Sequence, residues 1–259
     1  GKRTPASEKR NGELEAYTGV MREVASNTNL PFVDLFKPSL DLMGDRDKIH
    51  LTVNGVTLNR LGYWAISNVF FEQLTGEIRQ PWKLNIDANS LTGISDGVEL
   101  STIDTENNAI SFSVTEQSTP SLQPPDHLVI PPKLEILRDT LMVNNLAVGE
   151  YTLSVDGIEI VTANHDQWAK GVAVDSTPSH RESEVLRDAI YDKNLQFTYG
   201  WKALNQVHIV GERKHSPSGR ALPDELVEFY KLTEQREEDI SKYRTRLPKK
   251  REWRLTPAK

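Results

Sequence analysis

The 259-residue sequence contains no cysteine. That excludes a disulfide framework, cysteine-based zinc sites and thiol catalysis. It does not fix a compartment, because exported proteins also dispense with cysteine. No apolar run approaches the ~18 residues that a membrane-spanning helix needs. An excess of positive charge is lacking too. The 31 Lys and Arg are outnumbered by 37 Asp and Glu, and the net charge of −6 argues against wholesale nucleic-acid binding. Hydrophobic residues make up 37% and charged residues 26% of the chain, enough for a packed core but not a rich one. The first residues, GKRTPASEKRNGE, are polar and lack an initiator Met. They read as neither a signal peptide nor a natural start. The expectation is a processed product or one piece of something larger.

What is present falls into three zones, 1–78, 79–164 and 165–259. In the first, Leu14, Tyr17, Met21, Val24 and Ala25 recur at helical spacing, with Asn11 as a candidate cap. LPFVDLF, 30–36, is short, apolar and bounded by Pro31 and Pro38, as a buried strand would be. A short helix is expected in PSLDLMG. A tight turn follows at Asn54-Gly55, then a helix from about Asn59 to Leu74. Helix, strand and helix in alternation predict an α/β layer.

The second zone changes period. KLNID, VELSTI, AISFSV, HLVI, KLEILRDTLMVNNL and EYTLSVDGIEIVTA alternate apolar and polar residues between turns such as Ser95-Asp96-Gly97 and Asp156-Gly157. YTLSV-DG-IEIVT is the clearest hairpin, since Asp-Gly supplies the positive φ values of a two-residue turn. An antiparallel β-sandwich-like module is expected. SLQPPDHLVIPP holds four of the fourteen prolines and should cross a surface or edge. HDQW, 165–168, should begin a helix with Trp168 buried under the module. The third zone reads as helical, in SEVLRDAIYDKN and ELVEFYKLTEQREEDISKYRTR. The stretch from Lys242 to Lys259 carries eight Lys or Arg against one acid and reads as a solvated helix end, or as a contact for an acidic polymer, a membrane face or a partner.

YTGVMREVA on a helix, LPFVDLF as a strand and then LTVNGVTLNRLGYW resemble the C-terminal part of an SGNH (GDSL-type) hydrolase. GEYTLSVDG, WAKGV, IYDKN and WKALNQVHIVGERKHSPSGR resemble the extension of a planctomycete-type branch of that family. The resemblance covers most of the chain and implies the C-terminal part of a flavodoxin-like three-layer fold, followed by the β-rich and helical extension. It also implies a periplasmic or extracellular setting. In such hydrolases a Ser attacks an ester carbonyl, a His takes its proton, and an Asp orients the His. A Gly N–H and an Asn side chain hold the oxyanion. No Gly-Asp-Ser motif precedes Asn11. The family's acid and base positions carry Asn54 and Thr57 here. Asn has no carboxylate, and Thr is no base near pH 7. His50, seven residues before Thr57, would need a different loop conformation to substitute; its plain reading is an exposed loop histidine. Thr57 reads as a capping hydroxyl at the helix start.

The expected role is therefore a non-catalytic fragment or split subunit with a structural or binding function, and another protein chain supplying the N-terminal half. Two alternatives stand beside it: a carbohydrate esterase, such as a deacetylase, completed by a separate or cleaved half, and a carbohydrate-binding module. For carbohydrate, the candidate contacts are His208, Glu212, Arg213 and His215, which either line a sugar pocket or sit on an alternating strand, VHIVGER, that ends in a loop. Trp64, Trp82, Trp168, Trp201 and Trp253 either form a stacking platform or serve as core. No cofactor is implied. The spacing of His208 and His215 does not match a zinc motif, and Asp87, Asp96, Asp104 and Asp156 lie on separate turns that do not spell a calcium loop.

Overall fold

The computed structural model describes residues 5–44, 51–78, 80–125, 136–202, 205–244 and 248–258. It mixes helices with two sheets, one mixed and one antiparallel. The chain divides into two units, 1–81 with 123–137, and 82–122 with 138–259.

The first unit holds α1 (Pro5–Asn27), α2 (Phe36–Leu42) and α3 (Arg60–Thr75). Helix α1 starts before Asn11, which lies inside it and is not its cap. Helix α3 keeps the bounds its sequence signals. Asn59 is the N-cap, its Oδ1 accepting the Gly62 N–H at 2.8 Å, and Gly76 ends the helix at φ 74°. LPFVDLF is not a strand. Residues 30–35 carry no regular structure, and Phe36 opens α2. A strand exists only where a neighbour completes its ladder, and the described residues of this unit hold no strand, only an isolated bridge between Thr52 and Leu58.

The second unit is a β-sandwich carrying a helical hairpin. Its strands are β1 (Lys83–Asp87), β2 (Thr92–Asp96), β3 (Val98–Glu106), β4 (Ala109–Glu116), β5 (Thr140–Asn144), β6 (Glu150–Val155), β7 (Ile158–Asn164), β8 (Val172–Ala173) and β9 (Lys249–Pro257). One sheet runs β2-β1-β5-β8 and the other β3-β4-β9-β6-β7. Alternating residues of both sheets share one core: Leu84, Ile86, Leu141 and Val143 from the first; Phe112, Val114, Leu153, Val155, Trp253 and Leu255 from the second. The module is not purely antiparallel, because β1 and β5 pair in parallel. The sharp passage from β2 to β3 uses Gly97 at φ 78°, whose position leaves 3.1 Å between an added Cβ and the Trp82 side chain. The β6–β7 hairpin turns at Asp156 (φ 49°) and Gly157 (φ 78°), as the Asp-Gly pair predicts. Of the strand-like runs in the second zone, HLVI lies outside the described residues.

Helix α4 (His165–Lys170) begins with a capping box between Asn164 and Gln167. It buries Trp168, whose Nε1 donates to the Tyr151 and Ala163 carbonyls. Helices α5 (Pro178–Lys202) and α6 (Pro217–Arg244) run antiparallel, fixed by Lys193–Glu237 and Arg236–Asp192 ion pairs and by Gly200 against Phe229 and Tyr230. The chain then returns as β9. The basic end is thus no solvated helix: its last nine strand residues form the middle strand of the five-stranded sheet. Its charges are arranged with period two, so Arg251, Trp253 and Leu255 point inward while Lys250, Glu252 and Arg254 face solvent.

Candidate functional site

The loop at 51–59 is built by its own side chains. Asn54 Oδ1 accepts the N–H groups of Val56 (3.0 Å) and Thr57 (2.7 Å), and Thr52 Oγ1 accepts that of Gly55 (3.2 Å). The Val53 N–H donates to the Thr57 carbonyl at 2.9 Å, and Gly55 takes φ 79°. An Asx turn of this kind needs only a short side chain with an acceptor oxygen. The loop is seated on α3 by the Asn59 N–H, which donates to the Leu51 carbonyl at 2.9 Å, and by Gly62, where a Cβ would stand 2.1 Å from that carbonyl oxygen. Only glycine admits this approach.

Asn54 and Thr57 are exposed on this loop. Thr57 does not cap α3; Asn59, two residues on, is the residue whose oxygen faces the free N–H groups. Neither Asn54 nor Thr57 is a carboxylate or an imidazole, and Asn54 Oδ1 is already engaged by the backbone. His50 lies outside the described residues.

His208, Glu212, Arg213 and His215 do not lie on a strand. Asn205–Ile209 is a single π-helical turn between α5 and α6. The local reason is a close approach: Gly219 in the first turn of α6 sits where a Cβ would be 2.1 Å from the Arg213 carbonyl oxygen and 2.8 Å from that of His208. The Arg213 N–H donates to Val207, and Ser216 Oγ donates to Arg213, closing the segment into a knot of turns. His208 is half-buried, while Glu212, Arg213 and His215 are exposed, and no hydrogen bond or ion pair joins the four among the described residues. Among the described side chains the tryptophans form no platform either. Trp82, Trp168 and Trp253 are buried in the sandwich, Trp64 is half-buried on α3, and the side chain of Trp201 lies outside the described residues.

The densest polar cluster of the described residues is one that local sequence reading misses. Arg251 of β9, 5% exposed, donates to Asp156 (2.8 Å), to Ser179 Oγ (3.1 and 2.9 Å) and to Glu182 (2.9 Å). Ser179 in turn donates to buried Glu116, and Lys249 reaches Glu182 at 2.6 Å. Burial pushes the Glu116 carboxyl above its ordinary range, against the pull of the Ser179 hydrogen bond and the Arg251 charge. Burial also raises Glu182, but hydrogen bonds from Lys249 and Arg251 outweigh it and hold that carboxyl below its ordinary range. A second array lies at the start of α5, where Thr177 Oγ1 meets His180 Nδ1 at 2.8 Å and His180 Nε2 lies 3.6 Å from Asp139. A cleft of about 40 Å³ reaches the first cluster between Pro120, Ser179, Leu186 and Lys249. That volume has room for a few water molecules. The cluster ties β4, β9, the β6–β7 turn and α5 together. No signal in the linear sequence joins positions 116, 156, 179, 182 and 251. Among the described residues no group of three metal-ligating side chains is present, and no helix is long and apolar enough to cross a membrane.

No protein-family model and no curated protein matches the chain. Among solved structures it is similar in fold to BT4096, described as a gut microbial diltiazem-metabolizing enzyme. The match has a TM-score of 0.70 and 17% identity, and covers 97% of this chain and 68% of the other.

Proposed function

We propose that the chain is a non-catalytic part of an SGNH-hydrolase-like architecture, with a structural or binding role. On this reading the α1–α3 unit is the C-terminal part of a flavodoxin-like layer, and the sandwich with its helical hairpin is the extension. The observation that carries it is the loop before α3, which is fully formed yet bears Asn54 and Thr57 where an acid and a base would stand. General-base catalysis contributes about 10²–10⁴-fold to acyl transfer, and neither residue can supply it. The test is hydrolysis of p-nitrophenyl acetate by the purified chain. No turnover above the blank is expected. Turnover that disappears in His50→Ala would make His50 the base and overturn the reading.

One observation favours a second reading. The structural neighbour is described as an enzyme. An ester hydrolase, of carbohydrate esters or of other esters, would need its nucleophile from residues outside this sequence and its base from outside the Asn54–Thr57 loop. Esterase activity appearing only in a complex, and surviving Thr57→Ala, would establish it.

A further inference from the structure

The first unit is short of interior. Its buried apolar side chains among the described residues are Ala25, Leu51, Ala65 and Ile66, two of them alanines and none aromatic. Its two long helices instead leave large apolar residues in solvent. Tyr17 and Met21 of α1 are 71% and 61% exposed, and Phe70, Phe71 and Leu74 of α3 are 45%, 39% and 53% exposed. Leu14, Tyr17, Met21 and Val24 form one stripe along α1. Scattered surface apolar residues need no explanation, whereas stripes on two helices of one unit do.

The segment at 30–35 adds a second, independent sign. Its sequence has the make-up of a buried strand, but the N–H and C=O groups of Phe32 and Val33 have no hydrogen-bond partner among the described residues. Both helices reach this segment. Arg22 of α1 pairs with the Asp34 carboxylate, and the Gln73 side-chain amide of α3 bonds both the N–H and the C=O of Asp34. The segment therefore already holds one peptide-like partner and lacks the rest of a ladder.

We propose that Pro31–Leu35 is a strand position, and that it and the apolar faces of α1 and α3 are covered by a β-strand-bearing polypeptide segment that is not among these 259 residues. This rests on reading the unit as part of a larger layer, but not on the absence of catalysis. The size of the occupant is argued from the fold match: nearly all of this chain superposes on 68% of the neighbour, so about a third of that longer chain has no counterpart here. Pairing of this segment with its twin in a second copy of the chain is the competing outcome that the experiment separates.

The experiment places a photo-cross-linking p-benzoylphenylalanine at Val33 and, separately, at Phe71 of the full chain in its native host, and sequences the cross-linked peptides. Both positions should join peptides from outside this sequence, with the Val33 partner alternating or continuously apolar over about five residues. Phe32→Pro, which removes the neighbouring free N–H, should cut the Val33 cross-link at least tenfold. Met21→Lys, a surface change that spares folding, should cut the Phe71 cross-link similarly. Cross-links to a second copy of this chain, or none at either position, would overturn the proposal. Ester hydrolysis measured on the same preparation bears on the non-catalytic reading alone, so the two fail separately.

Discussion

The side-chain amide of Gln73 grips the backbone of Asp34 as a neighbouring strand would: Oε1 accepts the Asp34 N–H at 2.7 Å, and Nε2 donates to the Asp34 carbonyl at 2.9 Å. Glutamine suits this task because its amide reproduces a peptide group's donor and acceptor. The Asp34 carboxylate then accepts the Phe36 N–H at 3.0 Å and pairs with Arg22, so one residue connects α1, α2 and α3. Gln73→Ala removes two hydrogen bonds worth about 1 kcal/mol each. Amide exchange at Asp34 should accelerate by one to two orders of magnitude, while that in β4 and β6 stays unchanged. Gln73→Glu, which cannot donate, should recover about half the protection. Equal exchange in all three proteins would show that the contact contributes nothing.

The loop before α3 gives a paired prediction. Asn54→Ala leaves the Val56 and Thr57 N–H groups without their acceptor and should loosen residues 52–58, raising their exchange and proteolysis. Asn54→Asp keeps the acceptor and should not. Asn54→Asp with Thr57→His places an acid and an imidazole on the loop, yet should remain inactive on p-nitrophenyl acetate in this chain alone. If the complex carries a serine nucleophile, the same double change should raise its turnover by about 10²–10⁴-fold.

Arg251 is buried with hydrogen bonds to two carboxylates and a serine. Removing Arg251 leaves buried Ser179 short of a donor while Asp156 and Glu182 keep access to water, so the cost should be about 1–3 kcal/mol. Arg251→Ala should lower the urea midpoint of the second unit accordingly. Arg251→Lys, a point charge unable to reach three partners at once, should fall between the two. An Arg251→Ala protein with an unchanged midpoint would mean that water relieves the cluster.

Two neighbouring carboxyls of this cluster predict opposite pH dependences. The folded-state pKa of Glu116 lies above its unfolded value of about 4.5. The folded state then holds more protons than the unfolded state above pH 4.5, so stability falls as pH rises from there through the folded pKa. Asp175, raised by burial against the pull of Arg138, acts in the same sense from about pH 3.8 upward. Glu182 is lowered, so its contribution is present above 4.5 and lost as pH falls through its folded pKa. Thermal midpoints measured from pH 4.5 upward should decline in the wild type. The decline should be shallower in Glu116→Gln and absent in Glu116→Gln with Asp175→Asn. A decline of undiminished slope in the double variant would remove these two groups from the explanation.

What was legible in the sequence was local chemistry. Asp156-Gly157 announces its hairpin because the turn needs two positive φ values. The apolar periodicity places α3 at about Asn59 to Leu74, although the capping role expected of Thr57 falls to Asn59. HDQW begins α4 with Trp168 buried, as its sequence predicts. The failures are non-local. Residues 30–35 look like a strand, but strand formation depends on a neighbour that sequence position cannot provide. VHIVGER alternates, yet with Gly219 packed close against residues 208 and 213 it forms the end of a π-helical turn and a run of turns. KKREWRLTP also alternates, but its charges disguised a central strand as a solvated end. The same holds for the polar cluster, whose members meet only after β9 is in place.

That strand supplies the last prediction. β9 pairs with β4 from Glu116 to Ile110 on one side and with β6 from Val155 to Tyr151 on the other. Without it, β3-β4 and β6-β7 have no common neighbour. It also inserts Trp253, 1% exposed, against Trp82 and Phe112 at ring-centroid distances of 5.7 and 5.8 Å, and Leu255, fully buried. Losing a buried Trp alone costs about 3–5 kcal/mol, comparable to the whole stability of a marginal domain. The α5–α6 hairpin is thus inserted within the sandwich, which cannot close until the final residues arrive. A chain ending at Pro248 should lose its cooperative thermal transition and its near-ultraviolet tryptophan signal. A synthetic peptide of residues 249–259 added to that chain should restore both, in proportion to its concentration. The same peptide with Trp253→Lys should restore neither. A truncated chain that still melts cooperatively on its own would show that the two hairpins pack without their central strand.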